Sequence, residues 1–233
     1  MAVTVESFAR EVASVLGARL VSLVLYGSAA RGDPPVGADV NTVLVTDAAD
    51  EPLFAALEPV VRPWVRAGHP APLIFAEAEW RESADVFAIE FEEMRAAHRL
   101  LSGRDLFHNL VVRREDLRRQ LEAELRGKLV RLRQAYVTWR SDGAQLTRVV
   151  SQTTSGLLTM LRTVLRVGGV AVPPDPEGVV RAAAALVGFP PTVFDELVAP
   201  ARSARLKLGP RDPRAAAYLD VLARTAEFVD RLT

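Results

Sequence analysis

The chain has 233 residues, enough for two small domains or one large one around a buried core. Hydrophobic residues make up 49% and charged residues 25%, the balance of a globular protein, and no apolar stretch reaches the roughly 18–20 residues of a membrane span. Lys plus Arg equal Asp plus Glu at 29 each, so no global basic field argues for nucleic acid. There is no cysteine, which removes disulfides, thiolate metal sites and cysteine nucleophiles and fits a reducing, cytoplasmic location. MAVTVESFAREVASV carries an early acid and no long apolar core, so no signal peptide is expected.

Residues 5–17 read as an amphipathic helix with Val5, Phe8, Val12, Val15 and Leu16 on one stripe and Gly17 at its end. A Val-rich run from Leu20 to Tyr26 reads as a buried strand that stops at Gly27-Ser28. A loop with Pro34-Pro35 and Gly37 leads to a second strand, Asp39 to Val45. A helix over 51–67 follows, which Pro59 and Pro63 should interrupt. Ala71 to Ala76 is a third strand, Glu79 to Asp85 a polar helical turn, and Val86 to Phe91 a fourth strand. Residues 92–101 then read as a helix closed by Ser102-Gly103.

Beyond about residue 109, helical patterns take over. Leu117, Leu121, Leu125, Leu129, Leu132, Tyr136 and Trp139 make a stripe over 115–140. Further helices are expected over 144–167, 176–187, 191–206 and 213–232, with short connections that favour antiparallel neighbours.

The glycine turn after the first strand allows close approach of a ligand to the backbone, and its amides and the Ser28 hydroxyl can bind phosphate oxygens. Arg31 lies within reach of a phosphate or stands exposed on a short helix. Asp39 and Asn41 are two apart on a strand and project from one face. Glu90 is a charge inside an otherwise apolar expected strand, and such a charge needs a partner or a metal; Asp85, at that strand's mouth, is the fallback.

Gly27-Ser28, ten intervening residues and then Asp39-Val40-Asn41 resemble the signature of the polymerase-β-like nucleotidyltransferase superfamily. The helical second half makes the plan similar to aminoglycoside nucleotidyltransferases, and the run IEFEEMRAAHRLLSGRDLF is similar to the way related bacterial members leave the sheet. The resemblance implies an α+β fold, with a small mixed β-sheet domain over 1–108 and an all-α up-and-down helical bundle over 109–233. It implies that Gly27, Ser28 and Arg31 hold a nucleoside triphosphate, that Asp39, Asn41 and Glu90 face Mg, and that Asp39 and Glu90 are catalytic. The acceptor would be a hydroxyl of a small molecule or protein. Asn41 stands where the family carries its second acid: an amide oxygen can bind Mg but brings no charge. Losing one electrostatic contact to the transition state costs about 3–4 kcal/mol, or 100- to 1,000-fold in rate.

Two readings therefore stay open: an impaired transferase, or a catalytically degenerate member that binds nucleotide or a partner. A third makes the bundle the working part, pairing with itself as a homodimer or with another protein. His98 and His108 match no zinc spacing. Arg119, Arg126, Arg133 and Arg140 recur every seven residues, but Glu122 and Glu124 interrupt them, so a solvated face is expected rather than a nucleic-acid surface.

Overall fold

A computed structural model describes residues 4–32 and 39–232, and the chain divides into two compact units, Met1–Val112 and Arg113–Thr233. The expected loop residues Pro34, Pro35 and Gly37 lie outside the described residues.

In the first unit, helix α1 (Val5–Leu16) starts from a reciprocal cap. The Thr4 hydroxyl accepts from the Ser7 amide at 3.1 Å, and the Thr4 amide donates to Ser7 Oγ at 2.9 Å. Strands β1 (Leu20–Tyr26), β2 (Asn41–Thr46), β3 (Leu73–Ala76) and β4 (His98–Gly103) form one sheet in the order β3-β2-β1-β4. β1 is antiparallel to both β2 and β4, and β2 is parallel to β3, so the sheet is mixed. β1 and β2 read as nearly continuous apolar runs because both of their faces are covered. Leu23 and Leu44 face α1 and α3 (Glu51–Arg66), among Phe8, Val12, Leu53, Leu57 and Trp64. Val24, Val43 and Val45 face the opposite layer, built on Trp80, Phe91, Met94 and Phe107.

Four expectations for the first unit are corrected here. Helix α3 runs unbroken through Pro59 and Pro63. Both prolines sit on its exposed side, opposite the Leu53, Leu57, Val60 and Trp64 stripe, where the carbonyls they leave unpaired can meet water. Residues 86–91 are not a strand: after the short helix α4 (Glu77–Glu82), helix α5 spans Ala88–Ala96 and carries Glu90. The fourth strand is β4, in the stretch where a helix was expected. A short, mostly apolar stretch such as residues 86–91 suits either conformation, and pairing to the free edge of β1 settles which segment extends. The second strand also begins at Asn41, leaving Asp39 outside it.

The second unit is all helical: α6 (Arg114–Trp139), α7 (Gly143–Val167), α8 (Pro176–Val187), α9 (Ala199–Arg202) and α10 (Pro213–Asp230). Leu117, Leu121, Leu125, Leu129 and Leu132 bury the stripe of α6. Asp142, Asp175 and Asp212 cap α7, α8 and α10 by accepting from backbone amides of the first turn. The expected helix over 191–206 is interrupted. Residues Phe194–Val198 form a wide π turn, with the Ala199 amide donating to the Phe194 carbonyl, before α9 resumes. Pro200 cannot donate a helical hydrogen bond, which locally favours the wider turn. The hydroxyls that crowd α7 are largely internal: Thr153 and Thr154 donate to carbonyls of their own helix, and Thr153 also accepts from the Tyr218 hydroxyl at 3.0 Å. Among the described residues no helix is long and apolar enough to cross a membrane.

Candidate functional site

The apolar run of β1 ends because Gly27 takes φ 80° and ψ −148°, a region essentially reserved for glycine. Its amide donates to the Ala97 carbonyl at 3.1 Å, pinning the turn to the segment between α5 and β4. Helix α2 (Ser28–Arg31) is a single turn. The Ala30 and Arg31 amides both return to the Gly27 carbonyl, and Gly32 closes it in a left-handed conformation.

Across the sheet at this end, Tyr26 is paired directly with Asn41 on one side and His98 on the other. Directly paired residues share a face, so Asn41, Tyr26 and His98 form a row. The row lies on the face covered by α5, because Tyr26 packs with the Val24, Val43 and Phe91 cluster. Asn41 Nδ2 lies beside the turn, at ordinary contact distance (3.8 Å) from where a β-carbon on Gly27 would stand, so it is the positive φ and not crowding that calls for glycine here. Asp39 precedes this row and is exposed.

Glu90 reaches the same neighbourhood from the first turn of α5, half-buried. Burial, and then the charge of Glu90, push the Tyr26 phenol up to about 12, so the hydroxyl stays protonated at neutral pH. Arg31 is not free for a ligand in this state: its Nη1 lies 3.4 Å from Glu93 Oε2, whose side chain is only 9% exposed. His98 places Nε2 3.2 Å from Asp105 Oδ2 and Nδ1 3.1 Å from the Met94 carbonyl, fastening the end of α5 to the chain beyond β4.

Gly27, Asn41, Tyr26 and Glu90 thus gather at one end of the sheet, with Ser28 and Arg31 on the adjoining turn. Tyr26, Glu93 and the His98–Asp105 pair were not singled out by sequence reasoning. The position of Tyr26 immediately before Gly27 was the available signal for it. Glu93 had none while its segment read as a helix beyond a strand.

Among the described residues no three His, Asp or Glu side chains group to hold a metal. Beside the turn the described residues offer the exposed Asp39 carboxylate and the Asn41 amide oxygen, with the Glu90 carboxylate near Tyr26. They are of the kind that Mg accepts when substrate phosphates complete its shell.

No protein-family model matches the sequence, and no curated protein does. Among solved structures, spectinomycin adenyltransferase from Enterococcus faecialis, in a crystal with ATP and spectinomycin, is similar at a TM-score of 0.59. The match covers 96% of this chain and 97% of that one, at 13% sequence identity. The chain has the nucleotidyltransferase fold. Its mixed four-stranded sheet with flanking helices, followed by a helical unit, is that architecture, and at this identity the likeness is one of fold.

Proposed function

We propose that this chain is a nucleotidyltransferase that takes a nucleoside triphosphate with its Mg and moves the nucleoside monophosphate onto a hydroxyl of a small molecule. The observation that carries the reading is the Gly27-Ser28 turn, set by the positive φ of Gly27, standing beside Asn41 at the head of β2, with Asn41 paired to Tyr26 just before the turn. ATP and an aminocyclitol of the spectinomycin kind are the first substrates to try, because they accompany the similar structure.

The Gly27, Ala30 and Arg31 amides are committed to backbone carbonyls. Gripping the triphosphate therefore falls to the Ser28 hydroxyl and the Ser28 and Ala29 amides. Arg31 joins only by leaving Glu93. Asp39 and the Asn41 amide oxygen would face the Mg carried on the phosphates, which supplies charge neutralisation at the transferred phosphorus. Glu90 would accept the acceptor hydroxyl's proton as that oxygen bonds to the α-phosphorus, while the bond to pyrophosphate breaks.

With one carboxylate and one amide at the head of β2, turnover should be slow. The deciding experiment is transfer of α-labelled ATP onto spectinomycin and related aminocyclitols by wild type, Asp39→Ala and Asn41→Asp. Wild-type transfer lost in Asp39→Ala, and raised about 100-fold or more by Asn41→Asp, supports the enzyme. The Arg31–Glu93 pair and the missing acid favour a second reading, a nucleotide-binding module without turnover. Under it, Mg-ATP raises the melting temperature while no variant transfers label. No label transfer and no melting shift with any triphosphate would refute both.

A further inference from the structure

We propose that the cavity between α4 and the segment following β4 binds a small amphipathic anion, an aryl or alkyl group bearing a carboxylate or a phosphate, at a site separate from the Gly27 turn. Thr46 pairs with Ala76, and Ser22 with Gly103, at the end of the sheet opposite Tyr26, Asn41 and His98. Glu77 and Arg104 follow Ala76 and Gly103 directly, so the charged mouth of the cavity stands at that far end.

The cavity holds about 340 Å³, within the range of small-ligand sites, and Trp80, Leu106 and Leu110 give it apolar walls. At its mouth two guanidiniums share one carboxylate. Arg81, one turn along α4, and Arg104, at 2.6 Å, both bond Glu77. The arginine side chains are 72% and 58% exposed and Glu77 23%. Each guanidinium carries five N–H donors, so one carboxylate leaves most of them facing solvent.

Asp105 also borders the cavity and its charge offsets one arginine, but its oxygens are turned to donors other than the two guanidiniums, whose N–H groups are what remains over. Its oxygens accept from the Phe107 amide at 2.9 Å and lie 3.2 Å from His98 Nε2. Those contacts hold its carboxyl below the usual range, the Phe107 amide contributing most. The Trp80 side chain lines the cavity, and its indole N–H is buried behind that wall with no acceptor. Surplus donors over an apolar wall suit a ligand with an anionic head and a hydrophobic body.

The test titrates the full-length protein with benzoate, phenyl phosphate and inorganic phosphate while following the indole N–H resonance of Trp80, assigned with Trp80→Phe. Saturable binding of benzoate or phenyl phosphate is expected, weakened about tenfold by Arg104→Gln, the scale of one lost charge-assisted hydrogen bond. Whichever of the two binds tighter identifies the head group, and inorganic phosphate, lacking the apolar body, should bind more weakly than phenyl phosphate. Arg81→Gln, at the more exposed position, makes the same test should Arg104→Gln fold poorly. Binding must persist in Asp39→Ala, which acts at the other end of the sheet. No saturable shift, equal affinity in the arginine variants, or loss of binding in Asp39→Ala would overturn the proposal.

Discussion

Gly27 and Gly103 both hold positive φ, but different neighbours would meet a side chain there. At Gly27 a β-carbon finds only Asn41 Nδ2 at 3.8 Å, so Gly27→Ala should cost backbone strain alone, about 1–3 kcal/mol. At Gly103 it would come within 2.3 Å of the Val21 carbonyl oxygen in the paired strand, and Gly103→Ala should cost more and loosen β4. Urea unfolding of both variants checks the order. Tyr26 offers a second measurement. Its phenol keeps its proton up to about 12 in the fold, against 10.0 for a free tyrosine. Between those values the folded state binds more protons than the unfolded one, so stability falls as pH rises through that window. Glu90→Gln removes the smaller cause and leaves burial. Ultraviolet titration of Tyr26 in that variant should give a value below wild type and still above 10.0. An unchanged titration would place Glu90 away from Tyr26 and from the proposed site.

At the scale of elements, α10 depends on Asp212. Its carboxylate accepts from the Gly209 and Arg214 amides and from the Arg214 guanidinium, at 2.8–3.0 Å. The guanidinium is the largest reason its pKa sits far below the usual carboxylate range. A depressed carboxyl stabilises the fold at pH values above its unfolded pKa and loses that contribution as pH falls through the folded one. Asp212→Ala should therefore cost about 1–2 kcal/mol at pH 7 by circular-dichroism melting, with a smaller difference from wild type in strong acid. The α5 and β4 segments show where local pattern gave way to pairing. VFAIEF, apolar but for Glu90, reads like a buried strand and HRLL like a helix, yet the edge of β1 is filled by His98–Gly103. Helix α5 then buries Phe91 and Met94 against the sheet.

For the whole molecule, two units with separate cores predict separable effects of core mutations. Leu44→Ala in the sheet and Leu157→Ala in α7, each at a fully buried site, should cost about 2–5 kcal/mol apiece. The double variant should show their sum, because each residue is buried within a different unit. Equal numbers of basic and acidic residues predict negligible retention on heparin at physiological salt. The Arg119–Asp116 and Arg126–Glu122 contacts on α6 already neutralise part of its basic stripe.

Much of this was legible in the residues themselves. Strand β1, helices α1, α6, α7, α8 and α10, the glycine turn and the helical second half follow from apolar periodicity and from Gly, Pro and Asp at element ends. These are local preferences that a few neighbouring residues express. Which acid approaches Tyr26, which segment supplies the fourth strand, and that Arg31 is held by Glu93 were decided only in the folded chain. Each depends on groups far apart in sequence meeting across the sheet, and short stretches such as VFAIEF satisfy two conformations equally until a strand edge and a buried face choose between them.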